Sequence, residues 1–275
     1  MSLSFKTRQP AVAGLFYPGG RDELTAELRT MFVRAAEEKI ETPIYGLVAP
    51  HAGYMYSGHV AAHTYHQLSG REYDTVVVIS PSHRDFFHGV SVYPGDYATP
   101  LGTVPVDRKL AEELIEATSV VIPSELGHRE EHGLEVQLPF LQYVLKDFVL
   151  LPLVMGEQDW ETSTALGNVL AEILKNRRVL IVASSDLSHY HPVRQANHLD
   201  HVVIKDLEAF DEKRFHTDIR SHQCEACGAG AILATMIASK QLNARHSKVL
   251  SYHTSGEVSG DYDEVVGYLS AVMFN

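Results

Sequence analysis

Three histidines stand just past the ends of three apolar runs in this 275-residue chain. Residues 44–49 lead into Pro50-His51, residues 75–80 into Pro81-Ser82-His83, and residues 179–183 into Ser184-Ser185-Asp186-Leu187-Ser188-His189. Short β-branched runs closed by Pro, Gly and Ser read as buried strands. In open α/β sheets, ligands bind outside the carboxyl ends of the strands. If the three strands are parallel neighbours, His51, His83 and His189 meet in one crevice. Gathered imidazoles suit a metal ion or proton transfer. Taken singly, each has a plainer reading: a loop histidine bonded to a backbone carbonyl, or, for His189, a place in a first helical turn capped by Asp186. Three strand-end histidines in one chain favour a shared site.

Two further motifs carry candidate chemistry. Residues 127–133, Gly-His-Arg-Glu-Glu-His-Gly, contain His128, Glu131 and His132 in the spacing of the inverted zinc-peptidase motif. That chemistry needs both histidines on one helical face, and the bracketing glycines are poor helix formers. A loop leading polar groups toward the crevice is the better reading, with His132 and Glu135 as supporting groups. Cys224-Glu225-Ala226-Cys227 is a C-x-x-C. A thioredoxin-like unit would place it after a strand, but residues 214–223 are polar and show no strand pattern. A deaminase site would want a proline where Gln223 stands and a nearby His-x-Glu. Cys227 directly precedes a small-residue helix start, and a helix N-terminus stabilises the thiolate form that ligates metals.

The elements that must position these groups alternate along the chain. Helical spacing marks residues 21–38, 57–68, 162–176, 194–210 and 228–240. Asp107 reads as the N-cap of a helix carrying Leu110, Leu114 and Ile115. Residues 134–145 read as helical, with Pro139 in the first turn or at a bend. Strands are expected at 44–49, 75–80, 88–93, 148–154, 179–183, 248–253 and 264–274. The pattern predicts a single α/β domain over residues 1–275, with a mostly parallel or mixed central sheet and helices on both faces. Residues 1–4 are set apart as an added leader.

Composition narrows the function classes. With 35 acidic and 23 basic residues the net charge is −12, which disfavours nucleic acid as a partner. No apolar stretch reaches the ~18 residues of a membrane span. Two cysteines make no disulfide framework, so a cytoplasmic setting is expected.

The residues also carry a family resemblance. Arg8-Gln9-Pro10-Ala11-Val12-Ala13-Gly14 with Phe16-Tyr17-Pro18, Ala49 through Tyr54, Ser80 through His83, Glu131-His132 with Glu135, Ser184 through Tyr190, and Cys227-Gly228 together resemble the Memo family. The match runs from Arg8 to the closing Gly267-Tyr268 segment. That family is similar in fold to the class III extradiol dioxygenases, which are non-haem iron enzymes. The resemblance implies His51, His83 and Cys227 as metal ligands and His189 as an acid–base histidine, with Asp186 and His132 beside it. A thiol where a related dioxygenase keeps a carboxylate shifts the expected metal toward Fe(II) or Cu, with Zn as a further candidate. The implied function is a redox oxidoreductase acting on a small-molecule substrate. Animal members are linked to receptor-tyrosine-kinase signalling and phosphotyrosine peptides, but this chain shows no basic phosphate-binding cluster. A peptide-binding adaptor that reuses the crevice, and a zinc hydrolase built on His128, Glu131 and His132, stand as alternatives.

Overall fold

Runs of Val, Ile and Leu bury both faces of a strand, and here they build the middle layer of the molecule. The computed structural model describes residues 6–35 and 39–275. Its strands are β1 (Ile44–Ala49), β2 (Thr75–Pro81), β3 (Val90–Val92), β4 (Tyr97–Thr99), β5 (Gly102–Val104), β6 (Val121–Pro123), β7 (Val149–Met155), β8 (Val179–Ser184), β9 (His189–His191), β10 (His246–Thr254) and β11 (Val265–Phe274). Its α-helices are α1 (Arg21–Arg34), α2 (His59–His66), α3 (Arg108–Ala117), α4 (Leu138–Val144), α5 (Trp160–Ile173), α6 (Val193–Ala209), α7 (Glu212–Arg220), α8 (Ala229–Gln241) and α9 (Gly256–Ser259).

The main sheet runs β10-β11-β1-β8-β2-β7-β3-β6, with β9 attached to β11. The central strands β1, β8, β2 and β7 are parallel. Antiparallel pairings join β11 to β1, β10 to β11 and β3 to β7, so the sheet is mixed. Side chains alternate between two cores, as the strand period of two requires. Val76 and Val78 pack with Leu24, Leu28, Tyr65 and Phe140 on one face. Val77 and Ile79 pack with Leu166, Leu170, Ile232 and Met236 on the other. Helix α8 is buried continuously from Gly230 to Ser239. An all-round apolar helix belongs in an interior. Here it lies between the sheet and α5, and a Cβ at Gly167 would approach the Ala234 carbonyl to 2.9 Å.

Most expected elements are present with shifted ends. Asp107 caps α3 by accepting from Leu110 N at 3.0 Å, and Asp159 caps α5 by accepting from Thr162 N at 2.7 Å. The segment 57–68 begins earlier, as a π-helical turn at Tyr54–Gly58 that continues into α2. Pro139 falls in the first turn of α4, after a 3₁₀ turn at Glu135–Gln137. Helix α1 ends at Arg34; residues 36–38 of its expected range, and the leader assigned to 1–4, lie outside the described residues. Helix α7 had no signal in the sequence because it buries only Phe215 and is held by its Asp211 cap. Among the described residues, no helix is long and apolar enough to cross a membrane.

Candidate metal site

Strand order explains why distant histidines meet. Strand β8 lies between β1 and β2, with Ala49 beside Ser184 and Ala183 beside Ile79. The parallel strands therefore end together. His51, His83 and Asp186 each stand two residues past their strand. A fourth loop, residues 127–133, brings His132 into the same crevice. Ligand atoms of His51, His83 and His132 all lie within 4.8 Å of one another, so this group could hold a metal ion. Their ring centres are separated by 5.0 Å (His51–His83), 5.3 Å (His51–His132) and 4.6 Å (His83–His132). Imidazoles bound at ~2.0–2.1 Å to one tetrahedral ion would have centres about 5 Å apart.

The surrounding hydrogen bonds fix which ring nitrogen carries the proton. The Ser184 hydroxyl donates to the Gly133 carbonyl at 2.6 Å, so its oxygen accepts from His51 Nδ1–H at 2.9 Å. Gln137 Nε2 donates to the same oxygen at 2.8 Å. His83 Nδ1 lies 2.8 Å from Glu131 Oε1, and His132 Nδ1 lies 3.3 Å from the same oxygen. An ionised carboxylate only accepts, so His83 turns Nδ1–H toward it, while His132 meets it at ion-pair distance only. In His51 and His83 Nδ1 is committed, so Nε2 is the ring nitrogen left to face a cation. Carboxylate–histidine contacts of this kind orient metal ligands and raise their basicity.

Electrostatics agree. Burial, then the His83 charge, lowers His51 to about 3. Burial, then His51, lowers His132 to about 4. Both rings are therefore neutral near pH 7, the form that ligates. Burial pulls Glu131 upward, but the His83 hydrogen bond and charge, with the backbone N–H groups of Gly133 and His83, outweigh it and hold Glu131 at about 2. Gly133 must be a glycine: a Cβ there would lie 2.4 Å from Ser80 Oγ and 3.2 Å from His51 Nδ1.

Cys227 enters from the turn before α8. Its Sγ lies 3.1 Å from His51 Nε2 and accepts from Asp186 N at 3.2 Å. A Cβ at Gly228 would lie 2.4 Å from the Ser184 carbonyl, so only a glycine lets this turn rest on the end of β8. Burial, then the Asp186 charge, pushes the Cys227 thiol up. Asp186 is itself buried, and Oδ1 accepts the His51 backbone N–H at 2.7 Å. Burial raises its carboxyl. It braces the His51 turn rather than capping a helix, because Ser184–His189 runs into strand β9 and α6 starts only at Val193. His189 Nδ1–H donates to the Leu187 carbonyl at 2.8 Å, which leaves Nε2 as its acceptor. His189 and Cys227 border a common cavity of about 340 Å³, with Leu187, Ile219 and Ala226 as apolar walls.

One expected supporting group, Glu135, and His128 of the hydrolase alternative sit elsewhere. The loop at 127–133 is not helical, and His128 turns away: its Nδ1 meets Tyr97 Oη at 2.6 Å and its Nε2 meets Ser91 Oγ at 3.0 Å. Glu135 binds the N-terminal segment, not the crevice. It pairs with Arg8 and accepts from Ala11 N (2.7 Å), Val12 N (3.0 Å) and Tyr17 Oη (2.6 Å). That segment reaches the site through Phe16, whose ring packs 4.9 Å from His132. Asp200 went unnoticed in the sequence. From α6 its Oδ1 accepts Ser188 N at 3.0 Å and its Oδ2 accepts the Tyr252 hydroxyl at 2.7 Å, tethering the His189 loop. Nothing distinguishes a buried helical Asp from a solvated one until its neighbours are known.

Fold and site thus define an α/β protein with a crevice of three histidines, able to hold a metal ion, at the carboxyl ends of a parallel sheet core. The family model for Memo-like proteins matches residues 8–272, and the chain belongs to the Memo family. It is 42% identical to a MEMO1 family protein of Methanocaldococcus jannaschii over 98% of this chain and 99% of that one. It is 44% identical to a MEMO1 family protein of Methanosarcina mazei, covering 97% and 98% of the two chains. Among solved structures it resembles an uncharacterized protein of Escherichia coli K12 with TM-score 0.59 at 16% identity, over 84% of this chain and 100% of that one. At that identity the likeness shows the fold alone.

Proposed function

We propose that this chain is a mononuclear metal oxidoreductase acting on a small organic substrate, with His51, His83 and Cys227 as principal ligands and His132 beside them. The carrying observation is the 3.1 Å approach of Cys227 Sγ to Nε2 of His51, in a crevice where His51 and His83 both commit Nδ1 to hydrogen bonds. Imidazole with thiolate favours Fe(II), Cu or Zn over hard oxygen-seeking ions. When bound, iron or copper supplies one-electron chemistry and a Lewis acid. The remaining work falls to the chain. The Asp186 backbone N–H steadies negative charge on the Cys227 sulfur. His189, oriented through Leu187, holds Nε2 ready to take a proton from a substrate in the adjoining cavity. Phe16 packs its ring against that of His132. The hydrolase reading loses its second histidine to Tyr97 and Ser91.

The test is metal content after purification without oxygen, followed by oxygen consumption with a panel of phenols and reductants. The His189→Ala protein should keep its metal and lose turnover by ~10²–10⁴-fold. A metal-loaded protein that consumes no oxygen with any of them overturns the oxidoreductase reading. Peptide binding that survives metal removal would then favour an adaptor.

A further inference from the structure

A second pair of imidazoles lies outside the crevice, in a groove between α1, the Tyr54–Gly58 turn and β10. His59 opens α2, and His253 sits near the end of β10. Their ring centres are 5.1 Å apart at an interplanar angle of 66°. That separation falls within the 4.6–5.3 Å range of the crevice histidines and matches the ~5 Å expected of two imidazoles on one tetrahedral ion.

The proton placement also suits a cation. Glu257 on α9 is pinned twice. Its Oε1 accepts Thr254 N at 3.2 Å and its Oε2 lies 2.5 Å from His253 Nδ1. The His253 hydrogen bond and the Thr254 N–H outweigh burial and lower the Glu257 carboxyl. An ionised Glu257 takes Nδ1–H of His253, as carboxylates do behind metal-bound histidines, so Nε2 is the ring nitrogen left for a cation. His59 is partly buried and borders the same groove. The groove measures about 450 Å³ and has room for water ligands. Glu27 and Glu257 border it and offset the positive charge of Arg34, while the thioethers of Met31 and Met55 line the rest. No carboxylate-rich cage is present that would suit Mg²⁺ or Ca²⁺ among these lining groups.

We propose that His59 and His253 form a second cation site, which takes a borderline divalent ion of the zinc type through one nitrogen of each ring, with Glu257 as the orienting carboxylate. It is independent of the crevice and of any activity there. An ion at this position would tie the start of α2, and with it the turn that follows His51, to the edge strand β10.

The experiment is zinc titration of the full chain, read as bound zinc per chain after equilibrium dialysis and by calorimetry. Wild type should take about two equivalents of distinct affinity. His59→Ala and His253→Ala should each lose the second equivalent and keep the first, whereas His51→Ala should lose the first. Glu257→Gln should weaken the second by ~10–100-fold, because the orienting charge is gone while the side-chain volume is kept. His253 is partly exposed at the surface, so its alanine protein should fold, with far-UV circular dichroism as the check. A single zinc equivalent in wild type that survives both His59→Ala and His253→Ala overturns the proposal. So does a second equivalent that survives both variants. A single equivalent that both variants abolish would instead count against the crevice reading and leave this site standing.

Discussion

Ser184 Oγ sits 2.9 Å from His51 Nδ1, and that contact runs in one direction only. The serine proton is already committed to the Gly133 carbonyl, so the imidazole must donate and turn its lone pair toward Cys227. Glu131 imposes the same orientation on His83. Ser184→Ala and Glu131→Gln should therefore each lower metal affinity by ~10–100-fold without removing a ligand. Glu131→Gln should be the more severe, because its carboxylate serves the His83 ring, the His83 N–H and the Gly133 N–H. Calorimetric metal titration checks both. Wild-type affinity in either variant would mean that the rings are oriented by packing instead.

The two cysteines should behave differently although only two residues separate them. Cys227 Sγ faces the crevice. Cys224 is 1% exposed and packs in the core near α6 and α7. Burial raises both thiols, so position rather than acidity separates the two cysteines. Cys227→Ser should lose most bound metal, and Cys224→Ser should retain it at some cost in stability. Metal content of the two purified proteins decides. Equal losses would point to a paired-cysteine site.

The strand-end histidines were legible because strand, loop and ligand lie within a few residues of one another. Apolar runs located β1, β2 and β8, and Pro-His or Ser-rich turns marked where each run stops. The contribution of His132 was not legible in the same way, since its loop follows the short strand β6 and its position depends on how that loop crosses the sheet end. Glu135 was misplaced for a related reason. Sequence spacing put it close to His132, but the 3₁₀ turn at Glu135–Gln137 aims its carboxylate at the N-terminal segment. The β4–β5 hairpin and α7 escaped notice because short or polar elements carry little periodicity.

The Arg8–Glu135 pair should be structural and costly to break. Both side chains are buried, and Arg8 also donates through Nε to His128 O at 2.9 Å and through Nη2 to Glu131 O at 2.6 Å. Removing one partner leaves an uncompensated buried charge, a loss of ~3–5 kcal/mol. Arg8→Ala should therefore unfold at much lower denaturant and should also loosen the 127–133 loop that carries Glu131 and His132. Chemical denaturation together with metal titration separates the two effects. A variant of wild-type stability would show that the N-terminal segment is not anchored through this pair.

Asp206 should give the stability of the fold a pH dependence of its own. Its carboxylate is buried on α6, and burial, then the neighbouring Asp218, raises it to about 6 even though Arg214 Nε lies 2.8 Å away. An unfolded Asp titrates near ~3.9. The folded state thus holds the proton more tightly than the unfolded chain. The stability this contributes is complete below about pH 4 and is lost as the pH rises through about 6. Asp206→Asn keeps the shape without the charge and should remove that loss. Its melting temperature relative to wild type should therefore climb between pH 4 and pH 7, by roughly 2–4 °C for each kcal/mol at this chain length. The attraction of Arg214 acts only on the ionised carboxylate and is already contained in the raised value of Asp206. A difference in melting temperature that is flat or falls with pH would show that the Arg214 contact keeps Asp206 ionised throughout.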